Sequence, residues 1–301
     1  MARDLARLAL SLGGVRREVD ARRLDPMRPQ PGRPRLVDDG CLYELKLDGY
    51  RLLADVRGRD VNLRYRSGHD CTSAFPEVVA TLATLRMSRV VLDGEVVAFD
   101  EDGRPDFDRL APRLRRTPGP KPPVSYHVFD VLAVGEVDVR GVPLVRRKEL
   151  VAEVVARSRG SLRAVPVAVD DGRELAAFVV KHDLEGVVAK RADSPYVTGA
   201  SSHWVKSKRR HEEDFVVTGY RVDREGRVDA LALAKPHGKS LVRQGTVEMG
   251  TWRVRDSLPG VAKTRGWSDA PTHVVVTVTF TGRTSAGRLR EAAIKGVRAD
   301  T

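Results

Sequence analysis

The residues most able to do chemistry cluster around Lys46. Cys41, Tyr43, Leu45 and Leu47 alternate with Glu44, Lys46 and Asp48. That period of two predicts a half-buried strand with an apolar face and a face carrying an amine between two carboxylates. Gly49 follows, a residue that lets a chain turn tightly beneath a ligand, and then Arg51, a second cation within reach. A lysine among carboxylates also suits an ordinary solvated strand face, so the stretch has to be weighed with the rest of the chain.

Four further groups stand out. Asp93 and Glu95 interrupt the apolar run Val90–Val97. At i and i+2 they share one face, where carboxylates are costly unless paired, hydrated or metal-bound; a surface hairpin is the plainer alternative. Phe129, within Tyr126-His127-Val128-Phe129-Asp130, suits either a core position or a platform for a stacked base. Glu185 precedes the β-branched strand Gly186–Lys190. Lys206 and Lys208, in Trp204-Val205-Lys206-Ser207-Lys208, share a strand face and aim together at an anion, or protect a sheet edge.

Taken in order, Lys46-x-Asp48-Gly49-x-Arg51, Arg66-Ser67-Gly68, Asp93-Gly94-Glu95, Phe129, Glu185-Gly186 and Lys206-x-Lys208 resemble the successive nucleotidyltransferase motifs of ATP-dependent DNA ligases. The wording of Glu44–Arg51, Val91–Glu95 and Glu185–Ser194 is similar to the ligase domain of bacterial end-joining ligases, and the resemblance runs from about Pro26 to Asp300. It implies that Lys46 attacks the α-phosphorus of ATP, forms a lysyl-AMP phosphoramidate and later passes AMP to a DNA 5′-phosphate. An ordinary lysine spends about 4.6 kcal/mol at pH 7 to become the free amine that such an attack requires. Desolvation and the cations Arg51, Lys206, Lys208 and a metal would reduce that cost.

The remaining roles follow from the same resemblance. Glu44, Leu45, Arg51, Arg66, Glu95, Phe129, Lys206, Lys208 and Arg298 are expected to contact the nucleotide. Among them, Glu44 would accept from the adenine amino group, Phe129 would stack on the base, and Arg66 would touch the nucleotide or the nick. Glu95 and Glu185 would hold Mg²⁺ or Mn²⁺, hard cations that suit carboxylate oxygens. The family's terminal Arg-x-Asp-Lys run, which orients the pyrophosphate, is cut to Arg298-Ala299-Asp300-Thr301. The alternatives are an RNA ligase, a GTP-using capping enzyme, or a nucleic-acid clamp that has lost catalysis.

The elements that must position these residues read as a mixed α+β chain. A basic extension, helical or loosely attached, is expected over residues 1–24, followed by a proline-rich lead-in, Asp25–Gly32, without regular structure. The resemblance implies that residues 25–210 form a nucleotidyltransferase domain, ATP-grasp-like in class. Residues 211–301, a run of short strands, suit an OB-fold β-barrel. The formal charge is +12, and 211–301 holds 15 lysines and arginines against 11 acids, so the excess is spread over both parts. That suits duplex DNA with nicks or ends as the partner, and the resemblance adds end-joining proteins as further partners. Two cysteines are too few for a disulfide framework, no apolar run reaches membrane-spanning length, and the N-terminus lacks a secretory pattern. The expectation is a cytoplasmic, nucleoid-associated monomer.

Overall fold

The computed structural model describes residues 4–115, 119–249, 265–270, 274–284 and 287–299, apart from the side chains of residues 38, 39, 298 and 299. The chain divides into two units, Met1–Lys208 and Arg209–Thr301.

The helices of the first unit are α1 (Leu5–Ser11), α2 (Pro76–Ala83), α3 (Ala111–Leu114), α4 (Leu144–Val155) and α5 (Arg173–Lys181). Its strands are β1 (Val15–Arg16), β2 (Arg28–Pro31), β3 (Val37–Lys46), β4 (Tyr50–Arg57), β5 (Asp60–Tyr65), β6 (Val90–Ala98), β7 (Val124–Val134), β8 (Val137–Asp138), β9 (Leu162–Ala164), β10 (Val167–Asp171), β11 (Gly186–Arg191) and β12 (Ala200–Lys208). They build two sheets. The first runs β1-β8-β7-β6-β4-β5 with β9 parallel to β7, and the second runs β10-β3-β11-β12-β2.

Burial explains why the strands read as they do. The central strand β6 is apolar almost throughout because both of its faces are covered. Leu92 and Val96 pack with Val78 and Leu82 of α2 and Leu150 and Val154 of α4. Val91, on the other face, packs with Leu53, Leu132 and Trp204 between the two sheets. Proline at the first position of α2 suits a helix start, where its missing N–H is not needed. Helix α5 covers the outer face of the second sheet, with Val179 on Tyr43, Val187 and Ala189. The alternation of β3 is therefore real: Tyr43 and Leu45 turn towards α5, while Glu44 and Lys46 turn the other way.

Two expectations are corrected here. Residues 5–24 are not a separate extension, because Leu5 and Ala9 of α1 are buried in the main core and β1 pairs with β8 at the sheet edge. Their i, i+4 spacing gives the helix one apolar stripe, and the sheet covers it. The proline-rich lead-in is also not irregular throughout: β2 runs parallel to β12 as an outermost strand. Prolines are tolerated there because an edge strand has N–H positions that need no ladder partner.

The second unit contains β13 (His211–Val222), β14 (Val228–His237), β15 (Ser240–Glu248), β16 (Gly266–Asp269), β17 (Val274–Phe280), β18 (Gly282–Arg283), β19 (Leu289–Arg290) and β20 (Ala293–Ala299). Its main sheet runs β15-β14-β13-β17-β20, with β16 on β13, and β18 and β19 form a separate two-stranded sheet. Phe215, Val217, Leu231, Leu233, Val276 and Val278 are central to its core. Among the described residues this sheet is not closed into a barrel. No described helix is long and apolar enough to cross a membrane.

One buried ion pair ties α4 to β7. Arg147 and Asp130 are fully buried, with Nε to Oδ1 at 2.7 Å and Nη2 to Oδ2 at 2.9 Å, and Arg147 Nη1 also donates to the Ser194 carbonyl at 2.9 Å. Arg147→Ala would leave Asp130 as an uncompensated buried charge and should lower unfolding free energy by about 3–5 kcal/mol. Urea titration measures this directly, and a shift below about 1 kcal/mol, the scale of an exposed pair, would show that the pair is not structural.

Candidate active site

Lys46 ends β3, opposite Gly186 of β11, which in turn stands opposite Lys208 of β12. The next pairs along the same face align Glu44, Val188 and Lys206, and then Leu42, Lys190 and Trp204. Glycine is required at 186, since a Cβ there would lie 2.1 Å from the Ser207 carbonyl oxygen. Glu185, immediately before it, reaches two lysines: Lys46 Nζ donates to its Oε2 at 2.7 Å, and Lys208 Nζ lies 3.5 Å from its Oε1. Glycine at 49 also serves a close approach. A Cβ there would meet the Val96 carbonyl oxygen at 2.2 Å, so the link from β3 to β4 passes hard against β6.

The first sheet supplies the facing wall. Arg51 and Glu95 are paired across β4 and β6. Asp93, with no exposed surface, accepts from Arg51 Nε at 2.9 Å and Nη2 at 2.6 Å, and from the Tyr196 hydroxyl at 2.6 Å. The Tyr196 oxygen accepts in turn from the Met27 amide at 3.0 Å. The register of β6 with β7 shifts at Asp93 and Gly94, leaving Phe129 as the extra residue of β7. Its ring centroid lies 4.3 Å from Lys190 Nζ and 5.2 Å from the Arg51 guanidinium carbon.

Glu44 is almost wholly buried and lies between two lysines. Lys190 Nζ donates to Oε2 at 2.7 Å, and Lys148 of α4 pairs with Oε1. Lys148 Nζ also donates to the Phe129 carbonyl at 2.7 Å, so one ammonium fixes both the carboxylate and the backbone under the aromatic ring.

The structure thus brings Lys46, Glu185 and Lys208 into contact, places Glu44 and Lys206 on the same sheet face, and sets Arg51, Glu95 and Phe129 on the other sheet. Arg51 is not the free second cation that its sequence position suggested, because Asp93 neutralises it. Leu45 joins the α5 cluster, which leaves only its backbone on the Lys46 side. Arg66 stands in the exposed turn after β5 and makes no ion pair among the described residues. Arg298 belongs to β20, paired with Val275, but its side chain lies outside the described residues, as do Asp300 and Thr301. Lys148, Lys190, Tyr196 and Trp204 also contribute, outside the motif residues. Strand alternation puts Lys190 and Trp204 on the site face, whereas Lys148 carries no signal in the sequence.

Electrostatics distinguish the acids. Burial pushes the Glu95 carboxyl up to about 8; Lys46 and Arg51 oppose this, while the negative Glu185 and Asp93 add to it. Burial also raises Glu185 against the pull of Lys46. Lys190 is lowered to about 8, by burial and then by Lys148, with Glu44 opposing. No three candidate metal ligands converge among the described residues. Two hard carboxylates beside the amine do fit a Mg²⁺-type ion, which takes one or two carboxylates and completes its shell with water and phosphate oxygens. The mutual repulsion among Glu95, Glu185 and Asp93 is what a divalent cation would offset.

The Lys46 amine on one sheet thus faces an aromatic and acidic wall, Phe129 and Glu95, on the other. The chain belongs to the ATP-dependent DNA ligase domain family, whose model matches residues 34–208. It is 40% identical over 179 residues to the multifunctional non-homologous end joining protein LigD of Pseudomonas aeruginosa, covering 59% of this chain and 21% of that protein. It is 33% identical over 306 residues to the protein of the same name from Mycolicibacterium smegmatis, covering 91% and 39%. The chain therefore spans between about a fifth and two fifths of the length of these relatives. The crystal structure of the ligase domain from M. tuberculosis LigD superposes with a TM-score of 0.61 at 28% identity, over 94% of this chain and 97% of that one. A mycobacterial DNA ligase D complexed with ATP and MES matches at 0.61 and 29%, with the same coverage.

The raised Glu95 carboxyl makes a stability prediction. A folded value of about 8 against an ordinary 4.5 means that the folded state binds this proton more tightly than the unfolded state. The group then costs no stability below the ordinary value, and an increasing amount as pH rises towards 8 and a buried charge must form. Without divalent metal, Glu95→Gln should therefore gain melting temperature over the unaltered protein as pH rises from 5 to 8. A difference that does not change with pH would mean that Glu95 ionises normally.

Proposed function

We propose that this chain is a DNA-ligating module that uses ATP and seals nicks or ends in duplex DNA through a lysyl-AMP intermediate. The observation that carries this reading is the Lys46–Glu185–Lys208 cluster, two residues along β3 from Glu44 and facing Phe129 and Glu95. Membership of the ligase family and the likeness to an ATP-complexed ligase D support it.

In this reading Lys46 Nζ attacks the α-phosphorus. A P–N bond forms, the P–O bond to pyrophosphate breaks, and the amine's proton leaves towards Glu185 Oε2, the acceptor already in contact. Lys206 and Lys208 bring positive charge to the phosphate oxygens as charge grows there. Phe129 offers a face to the base, and Glu44, held by Lys148 and Lys190, accepts from the adenine amino group. Glu95 and Glu185 would hold Mg²⁺ or Mn²⁺, which supplies charge neutralisation on the phosphates. AMP then passes to a DNA 5′-phosphate, and a 3′-hydroxyl displaces it. We read the second unit as an OB-fold, supported by its antiparallel five-strand path, and Arg298 as a contact for the departing pyrophosphate.

Incubation with α-labelled ATP and a divalent metal should label the chain covalently, and Lys46→Ala should abolish the label. Unlabelled protein would overturn the reading, and preferential labelling by GTP would assign the chain to the capping class. Glu95→Ala and Glu185→Ala should each slow sealing of a pre-adenylylated nick by orders of magnitude. If Arg298 holds the departing pyrophosphate, Arg298→Ala should slow self-adenylylation and leave final sealing largely intact. Single-turnover rates separate the two steps, and equal losses in both would rule out a pyrophosphate role.

A further inference from the structure

Helix α4 holds β7 at two consecutive positions. Arg147 grips the Asp130 carboxylate, and Lys148 Nζ donates to the Phe129 carbonyl at 2.7 Å. Phe129 is the extra residue where β7 slips against β6, and such a residue is left out of the ladder. Strand pairing therefore does not fix it, and the ammonium from α4 supplies the restraint. The Lys148 side chain is only 14% exposed, so it makes these contacts away from bulk water.

The same ammonium reaches Glu44 of the second sheet. Glu44 Oε2 takes the Lys190 donor at 2.7 Å, and Oε1 lies in ion-pair contact with Lys148. Oε1 nevertheless accepts no hydrogen bond among the described residues. Buried polar atoms are rarely left in that condition, and a carboxylate oxygen that is neutralised but not hydrogen-bonded keeps a lone pair for an incoming donor. A 6-aminopurine brings such a donor. A 6-oxopurine brings an acceptor instead, which the carboxylate repels. Lys148 is engaged by the Phe129 carbonyl and by Glu44, which draws its ammonium away from a 6-oxo group. Both of its partners are residues assigned above to the base, and neither belongs to the Lys46–Glu185–Lys208 cluster.

We propose that Lys148 is the positioning residue for purine selection. With one ammonium it holds the Glu44 carboxylate and the Phe129 backbone, and so fixes the acceptor and the stacking ring together for a 6-aminopurine. This rests on the ATP-using reading above and adds to it a specificity residue outside the motifs that carry the family resemblance.

Self-adenylylation of the whole chain by α-labelled ATP, beside the matching labelling by α-labelled ITP, tests it in single turnovers across nucleotide concentration. Lys148→Met keeps the apolar stem and removes the charge, whereas Lys148→Arg restores a cation able to donate twice. The Met variant should raise the half-saturating ATP concentration about tenfold, the scale of one hydrogen bond to a charged group, and lower the ATP-over-ITP preference by a similar factor. Its limiting rate at saturating ATP should stay within about threefold, because the interaction lost is one of binding and not of the transferring step. The Arg variant should recover most of the preference. In a Glu44→Gln background, Lys148→Met should cost little further preference, since residues that act as one unit are not additive.

An unaltered ATP-to-ITP ratio in Lys148→Met would overturn the proposal, as would losses that simply multiply in the double variant. A lower limiting rate at an unchanged half-saturating concentration would overturn it too, and would leave Lys148 a purely structural residue. Melting temperature identifies a variant that has lost its fold; Lys148→Gln, which keeps a donor for the carbonyl without the charge, then takes the same comparison. Failure of the unaltered chain to label with either nucleotide counts against the ligase reading itself. Labelling with a normal ATP preference in the folded Lys148 variants counts against Lys148 alone.

Discussion

Asp93 is a charge with no exposed surface, and the way it is satisfied governs how the two sheets of the first unit meet. A lone buried carboxylate would cost several kcal/mol even after relaxation. Here three donors remove that cost: both ends of the Arg51 fork and the Tyr196 hydroxyl. Arg51 belongs to the neighbouring strand of the same sheet, but Tyr196 comes from the connection between β11 and β12 of the other. Its oxygen also takes the Met27 amide from the lead-in to β2. One buried negative charge thereby holds two sheets and the N-terminal segment in a single register, and presents the Arg51 cation to the rings of Phe129 and Trp204.

The same device appears twice more, each time as one carboxylate between two lysines. Glu44 lies between Lys148 and Lys190, and Glu185 between Lys46 and Lys208. Burial makes them different. The Glu44 side chain is 3% exposed and that of Glu185 15%, so water and ligands reach the second cluster more readily. The first is a fixed frame that also clamps the Phe129 carbonyl. The second is the one whose partners a phosphate can exchange, and it contains the amine on which the proposed chemistry depends. A deep carboxylate pair thus lies beside a shallower one, and only the second is open enough for its partners to meet a ligand.

Backbone proximity sets the floor of this site as firmly as the charges do. Without a side chain at 186, β11 can run close enough to Ser207 for Glu185 to reach the lysines on both adjacent strands. Without one at 49, the β3–β4 link can lie against Val96, which brings Lys46 to the edge of the first sheet. Each of these glycines answers a packing demand from a strand distant in sequence.

Local alternation determined a good deal by itself. Period two placed Glu44 with Lys46 and Tyr43 with Leu45, marked β6, β7, β11 and β12 as strands, and put Lys206 and Lys208 on one side. The order of the short motifs named the family. These are properties of a few adjacent residues, and backbone geometry transmits them directly to side-chain direction. The tertiary structure alone decided which charges meet. Arg51 looked like a free cation until Asp93, 42 positions away, was found holding it. Lys148 sits in an ordinary amphipathic helix and contributes only because α4 packs across β7. The N-terminal helix and the proline-rich β2 looked peripheral and are built into the first unit. Periodicity encodes the face on which a side chain stands, whereas sheet order and burial choose the partner it finds there; those depend on contacts among residues far apart in the chain, which no local pattern records.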